Sequence, residues 1–211
     1  NVLHKINIRT GCRTDEVKEK DGIYVNGVKV KFKGISRHVF WPTSGRTTSK
    51  KISIYDVNLI KEMNMNAVRM SHYPPDKHFL DACDSLGLFV LDELAGWGPP
   101  AYNAEVGKKL VKELVIRDVN HPSIVLWDNG NEGGWNPDLD DEFSPWDIQQ
   151  REVIRPRQIF RKINTLHYFK YNYLAYDSYQ QDRIFLTTEF LHGCWDEGHG
   201  AGLDDYWSMM W

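Results

Sequence analysis

Between Ile54 and Trp127 the apolar residues switch repeatedly between helical and strand spacing, and that alternation constrains the fold more than any other feature. Ile54, Val57, Ile60 and Met63 recur at helical intervals, with Ser53 and Asp56 placed as a capping pair. Asn66-Ala67-Val68-Arg69 then reads as a short strand. Phe79, Leu80, Ala82, Cys83 and Leu86 mark a second helix, stopped by Gly87. Leu88-Phe89-Val90-Leu91 is an apolar strand ending in Asp92-Glu93. Val106, Leu110, Val111, Leu114 and Val115 give a longer helix, ended by Asn120-His121-Pro122, and residues 123–127 form the next strand. Strands and helices alternating at this spacing predict an α/β fold with a parallel sheet or a (β/α) barrel.

The flanks read differently. Residues 15–33 alternate as β structure split by Asn26-Gly27, a hairpin signal because both turn positions need positive φ. Residues 153–158, 163–167 and 184–188 read as strands whose connections are too short for full helices. Leu203, Tyr206, Trp207 and Met210 form a helical stripe. That makes seven strands and no eighth, a (β/α)8 pattern that looks incomplete at the C-terminus.

Composition narrows the function. Twenty-nine acidic against 26 basic residues leave a net charge of −3, with no basic run to hold nucleic acid. No apolar stretch approaches the ~20 residues of a membrane helix. Asn1-Val2-Leu3-His4-Lys5 has no signal-peptide pattern, which leaves the compartment open. Cys12, Cys83 and Cys194 are scattered and odd in number, arguing against a disulfide framework or a cysteine-built zinc site. The surplus is aromatic, with eight tryptophans, which serve either a core or a stacking platform for a ligand.

The predicted strands end in polar or aromatic groups: Ser36-Arg37-His38, Ser71-His72-Tyr73, Asp92-Glu93, and Asp128-Asn129-Gly130-Asn131-Glu132. In a barrel the active site sits at that end. Glu132 closes the fourth strand and Glu189 the seventh, so both carboxylates are expected to face one bound group. Two carboxylates ~5–5.5 Å apart suit double-displacement glycoside hydrolysis, one as nucleophile and one as acid/base. The acid of such a pair needs a raised pKa, which partial burial and a neighbouring negative charge supply. Asn131 would stand beside the acid, placed to hold a sugar 2-hydroxyl. The plainer alternative is that both glutamates are strand-end partners of Arg or Lys.

Longer blocks carry a resemblance. Gly34-Ile35-Ser36-Arg37-His38, Pro42-Thr43-Ser44-Gly45-Arg46, Asn66-Ala67-Val68-Arg69-Met70-Ser71-His72-Tyr73-Pro74, Gly87-Leu88-Phe89-Val90-Leu91-Asp92-Glu93, and Asn120-His121-Pro122-Ser123-Ile124-Val125-Leu126-Trp127 through Asn131-Glu132 stand in order. Together they resemble the catalytic barrel of glycoside hydrolase family 2, the family of β-galactosidases, β-glucuronidases and β-mannosidases. The resemblance implies that residues 13–211 belong to a TIM barrel and residues 1–12 to the tail of a preceding immunoglobulin-like domain. It implies Glu132 as acid/base, Glu189 as nucleophile and Asn131 as the ligand of the 2-hydroxyl. His38, His72, Tyr168 and His192 match groups that contact the sugar or support the site. Arg37 and Arg69 match either site groups or barrel ion-pair partners, Arg69 more as the latter.

Departures from the family pattern are informative. Metal-dependent members carry a glutamate and a histidine beyond the third-strand Asp-Glu, where this chain has Leu94-Ala95-Gly96-Trp97-Gly98. No metal or other cofactor is therefore expected, and Trp97 is free to act as a stacking wall. Trp135 and Trp195 are further candidates for that role. An Asn-x-Lys motif of the kind that recognises uronic acids is not visible. The reading is thus a retaining exo-β-glycosidase, galactosidase-like, with a carbohydrate substrate and the remaining domains of a longer enzyme as partners; homo-oligomerisation stays open. The alternatives are a glucuronidase or mannosidase, a non-catalytic carbohydrate-binding barrel, and a metal-dependent hydrolase using Asp92, Glu93 and His121.

Overall fold

The computed structural model describes residues 3–172, 182–191 and 202–210. Strands β1 (Asp15–Lys18), β2 (Gly22–Val25) and β3 (Val28–Val30) form an antiparallel sheet. Asn26 and Gly27 turn between β2 and β3 with φ of 50° and 77°, the two positive values that the hairpin signal requires.

The alternating segments become β4 (Gly34–Arg37), α1 (Lys50–Glu62), β5 (Ala67–Met70), α2 (Lys77–Leu86), β6 (Phe89–Glu93), α3 (Ala104–Asp118) and β7 (Ile124–Asp128). With β8 (Val153–Ile154) they make a five-stranded parallel sheet in sequence order, β4-β5-β6-β7-β8. Every residue of β5 and β7 is buried, as expected for parallel strands covered on both faces. The pleat sorts the side chains of β5 and β6, and a register shift against β6 at Val125 resets the alternation in β7. Val68, Met70, Val90, Ile124 and Trp127 pack with Val57, Ile60, Phe79, Leu80, Val111 and Leu114 of the helices. Leu91, Val125, Leu126, Ile154 and Ile163 face the other way and meet Ile23 and Val25 of β2. The N-terminal sheet thus packs into the interior near the strands' N-terminal ends, where Phe32 meets Phe89 edge-on at 5.5 Å.

Gly87 ends α2 in the left-handed conformation, as its position predicts. The start of α1 differs from expectation. Its N-cap is Ser49, which accepts from the Ile52 N–H, one turn before the predicted pair. Ser53 lies buried inside the helix, 2.8 Å from His78 Nδ1, and Asp56 binds Arg37. Both residues make tertiary contacts, so Ser49 is left to cap.

The later strands are shorter than predicted. Pro156, which has no N–H to give, follows β8, and Arg157 turns the chain with a φ of 65°. A small hairpin of β9 (Ile159–Phe160) and β10 (Ile163–Asn164) follows, and β11 (Ile184–Phe185) pairs parallel to β10. The β10–β11 pairing recurs further on as a bridge between His167 and Glu189. Helix α4 (Leu203–Met210) matches the predicted stripe through buried Tyr206, whose hydroxyl donates to the Phe169 carbonyl at 3.0 Å. Ser36 Oγ lies 3.3 Å from the Thr188 carbonyl, so the end of β4 touches the segment leaving β11. No helix among the described residues is long and apolar enough to cross a membrane.

Candidate functional site

The strand pleat that sends Val68 and Met70 to the helices turns Arg69 inward, where it is 4% exposed. Its guanidinium holds four groups together. Nε donates to Asp128 Oδ2 at 2.8 Å, one terminal nitrogen to Glu189 Oε1 at 2.6 Å, and the other to Asn131 Oδ1 at 2.9 Å. The last nitrogen also lies 2.5 Å from Glu93 Oε2. One cation therefore faces three carboxylates. Burial alone would lower the Arg69 pKa, but Glu93, Asp128 and Glu189 outweigh it and raise it. Burial pushes Glu93 up to about 8 and Asp128 up to about 7, against the pull of Arg69. Glu189 goes the other way: burial is overcome by Arg69 and by the Tyr168 hydroxyl, and its carboxyl is held below the usual range.

Glu132 reaches the same place by an unusual backbone path. Gly130, Glu132 and Gly133 all have positive φ, 77°, 29° and 86°, and for a glutamate that conformation is strained. Backbone bonds hold the turn: Asn131 N–H donates to Gly96 O, and Gly134 N–H to Asn131 O, each at 2.6 Å. The two loops touch through glycines, because a Cβ on Gly134 would lie 2.3 Å from the Gly96 carbonyl carbon.

His167 stands between the two candidate catalytic glutamates. Its Nδ1 lies 2.9 Å from Glu132 Oε1 and 3.8 Å from Glu189 Oε2, and its Nε2 lies 2.6 Å from Thr188 Oγ1. One oxygen of each glutamate and a His167 nitrogen lie within 4.8 Å of one another. Burial, aided by Arg69, depresses the imidazole to about 3 despite Glu189, so it is neutral. The Tyr168 hydroxyl donates to Glu189 Oε2. Burial and that bond raise the phenol's pKa, keeping the proton on the tyrosine.

Of the other expected residues, His72 places Nδ1 3.1 Å from Glu93 Oε1 and Nε2 3.5 Å from Glu189 Oε1. Burial and Arg69 lower its pKa. His38 is exposed and packs edge-on against His72 at 5.4 Å. Trp97 is 68% exposed, 5.2 Å from the His72 ring, and its backbone bridges that of Asn131. Trp135 instead lies under the Arg155 guanidinium at 4.9 Å. His192, Trp195 and Cys194 lie outside the described residues.

Arg37 proves to be an ion-pair partner, bonded to Asp56 of α1 and stacked over Phe79. Arg69, read as more structural, touches Glu189 and Asn131 directly, so its ion pairs are part of the site. Glu93, Asp128 and His167 were given no firm role by sequence reasoning. The available signal was strand parity: Arg69 and Glu93 occupy inward positions of β5 and β6. The same parity removes the Asp92–Glu93–His121 alternative. Asp92 points out to Asp118 of α3, whose charge, after burial, drives its pKa well up. His121 is bonded to Asp84 at 2.7 Å, before the start of β7. Among the described residues, two sets bring potential ligand atoms within 4.8 Å, Asp81/Asp84/His121 and Glu132/His167/Glu189. In each the histidine Nδ1 already has a carboxylate partner.

Comparison with known proteins follows the same lines. The profile of the family described as "Glycosyl hydrolases family 2, TIM barrel domain" matches residues 16–109 and 100–144, more than half of the chain. A β-galactosidase of Thermoanaerobacterium thermosulfurigenes is 41% identical over 54% of this chain and 16% of its own length. A β-galactosidase of Thermoanaerobacter pseudethanolicus is 36% identical over 90% of this chain and 24% of its own. Among solved structures, a Faecalibacterium prausnitzii β-glucuronidase superposes with a TM-score of 0.73 at 28% identity, covering 86% of this chain and 38% of that one. The chain spans a quarter or less of those two curated relatives.

Proposed function

The chain belongs to the TIM-barrel domain family of glycosyl hydrolases family 2, and on that premise we propose that the protein carrying it is a retaining exo-β-glycosidase acting on terminal β-galactosides. The observation that carries the reading is the pair Glu132 and Glu189, with oxygens within 4.8 Å of one another but in unlike surroundings. That separation suits double displacement, because inversion needs room for a water between the carboxyls.

Glu189, kept ionised by Arg69 and Tyr168, attacks the anomeric carbon while Glu132 protonates the departing oxygen. The bond from sugar to aglycone breaks as the bond to Glu189 Oε forms. Glu132, now a carboxylate, takes a proton from water, whose oxygen displaces Glu189 and frees the sugar. Asn131 supports a substrate role. Arg69 occupies its Oδ1, while its buried Nδ2 has no hydrogen-bond partner among the described residues. An unused buried donor is costly, and a sugar 2-hydroxyl beside the acid would satisfy it. Trp97, exposed next to His72, offers a ring for stacking on the sugar or the leaving group.

The galactoside preference rests on the two β-galactosidase relatives. A panel of aryl β-glycosides tests it, and higher kcat/KM on the glucuronide would overturn it. In the protein at its natural length, Glu189→Gln is expected to lose hydrolysis by more than a thousandfold. Normal turnover in that variant would sink the mechanism. A 2-fluoro galactoside that releases one equivalent of aglycone and then stalls is the outcome a carbohydrate-binding barrel cannot produce.

A further inference from the structure

We propose that His167 is the positioning residue of the acid/base, a neutral imidazole locked in one tautomer so that its Nδ1–H aims the Glu132 carboxyl at the leaving oxygen. The inference deepens the proposed function and rests on it.

Three geometric facts carry it. First, both ring nitrogens are engaged, Nδ1 with Glu132 at 2.9 Å and Nε2 with Thr188 Oγ1 at 2.6 Å, and the side chain is fully buried. Such a ring can be turned only by breaking both bonds. Second, the partners point to one tautomer. The Thr188 hydroxyl has two acceptors in reach, Nε2 at 2.6 Å and the Thr165 carbonyl at 3.5 Å, and its hydrogen is placed on the much shorter contact, to Nε2. Nε2 then accepts, and Nδ1 carries the ring proton and donates it to Glu132. Third, Glu189 Oε2 at 3.8 Å is beyond hydrogen-bond reach of that Nδ1, so the donor is committed to one glutamate.

The role differs from that of a proton shuttle. Burial holds the imidazole neutral down to about pH 3, so it neither gains nor loses a net proton in turnover. Its contribution is orientation. Glu132 sits on a backbone with a φ of 29°, and among the described residues its other ion pair is with Arg157, exposed and 3.9 Å away. His167 is itself fixed by the bridge that pairs it with Glu189. One side chain therefore ties the acid to the strand pair that bears the nucleophile, setting their separation.

The test uses the protein at its natural length and a series of aryl β-galactosides of graded leaving-group acidity. Loss of aim matters where the leaving group needs a proton and not where it departs unaided. His167→Phe is expected to lower kcat/KM about ten- to a hundredfold on phenyl galactoside. On 2,4-dinitrophenyl galactoside it should leave kcat/KM within about twofold, because general-acid help is dispensable there. His167→Asn, whose amide N–H falls near the Nδ1 position, should recover most of the loss, and His167→Gln, which reaches the Nε2 position, should not. Equal losses across the series, or Asn and Gln behaving alike, would overturn the proposal even if His167→Phe fails to fold. Glu132→Gln separates the two readings. If it shows a steep leaving-group dependence and His167→Phe does not, only the role of His167 falls. If Glu132→Gln shows none, the assignment of Glu132 as the acid falls first.

Discussion

Arg69 decides more of the site than either of the two candidate glutamates. Its guanidinium makes four contacts, to Glu93, Asp128, Asn131 and Glu189, with only 4% of the residue exposed. Each buried ion is costly to desolvate, and removing the cation would leave carboxylates facing one another. Arg69→Met is therefore expected to destabilise the fold by about 3–5 kcal/mol, read from the urea midpoint. A loss below 1 kcal/mol would show that Glu93 and Asp128 relieve the charge by taking up protons. The residue was legible in sequence as an arginine inside a buried strand. Its partners were not, because Asp128 and Glu189 lie 59 and 120 positions away.

At the scale of elements, the loops rather than the strands shape the chemistry. β6 and β7 deliver Glu93 and Asp128, but Glu132 is turned back into the site by three positive-φ residues. The turn depends on the absence of a side chain at Gly134, whose Cα approaches the Gly96–Trp97 backbone. Gly134→Ala would place a methyl 2.3 Å from the Gly96 carbonyl carbon and force the two loops apart. We expect kcat/KM to fall at least tenfold while far-UV circular dichroism is unchanged; an active Gly134→Ala enzyme would mean the loops have slack. The helix stripes and the Asn26-Gly27 hairpin were readable because they depend on near neighbours alone. The start of α1 was misjudged because Ser53 and Asp56 are claimed by His78 and Arg37. Likewise β8 stops at Ile154, with Pro156 two residues beyond it, although residues 153–158 were expected as one strand.

Across the whole molecule, the buried acids link the site to global stability. Glu93 and Asp128 titrate at about 8 and about 7 in the fold, against ordinary values of 4.5 and 3.8. Raised carboxyl values mean the folded state binds protons more tightly than the unfolded one. Their effect on stability is most favourable below about pH 4 and is lost as pH rises to about 8. Glu189, with its depressed value, acts in the opposite sense, losing stability as pH falls through its titration. Urea midpoints are thus expected to decline from pH 6 to pH 8.5, and Glu93→Gln should flatten that slope; an unchanged slope would remove Glu93 as its source. The sequence by itself determined the alternation of strands and helices and singled out Glu132 and Glu189, since these follow from local periodicity and resemblance. Only the tertiary structure decided that Arg69 gathers three carboxylates, that His167 joins Glu132 to the strand of Glu189, and that Asp92 faces away from the site. Those outcomes depend on which side chains meet across the barrel, and burial then sets which of them hold their protons.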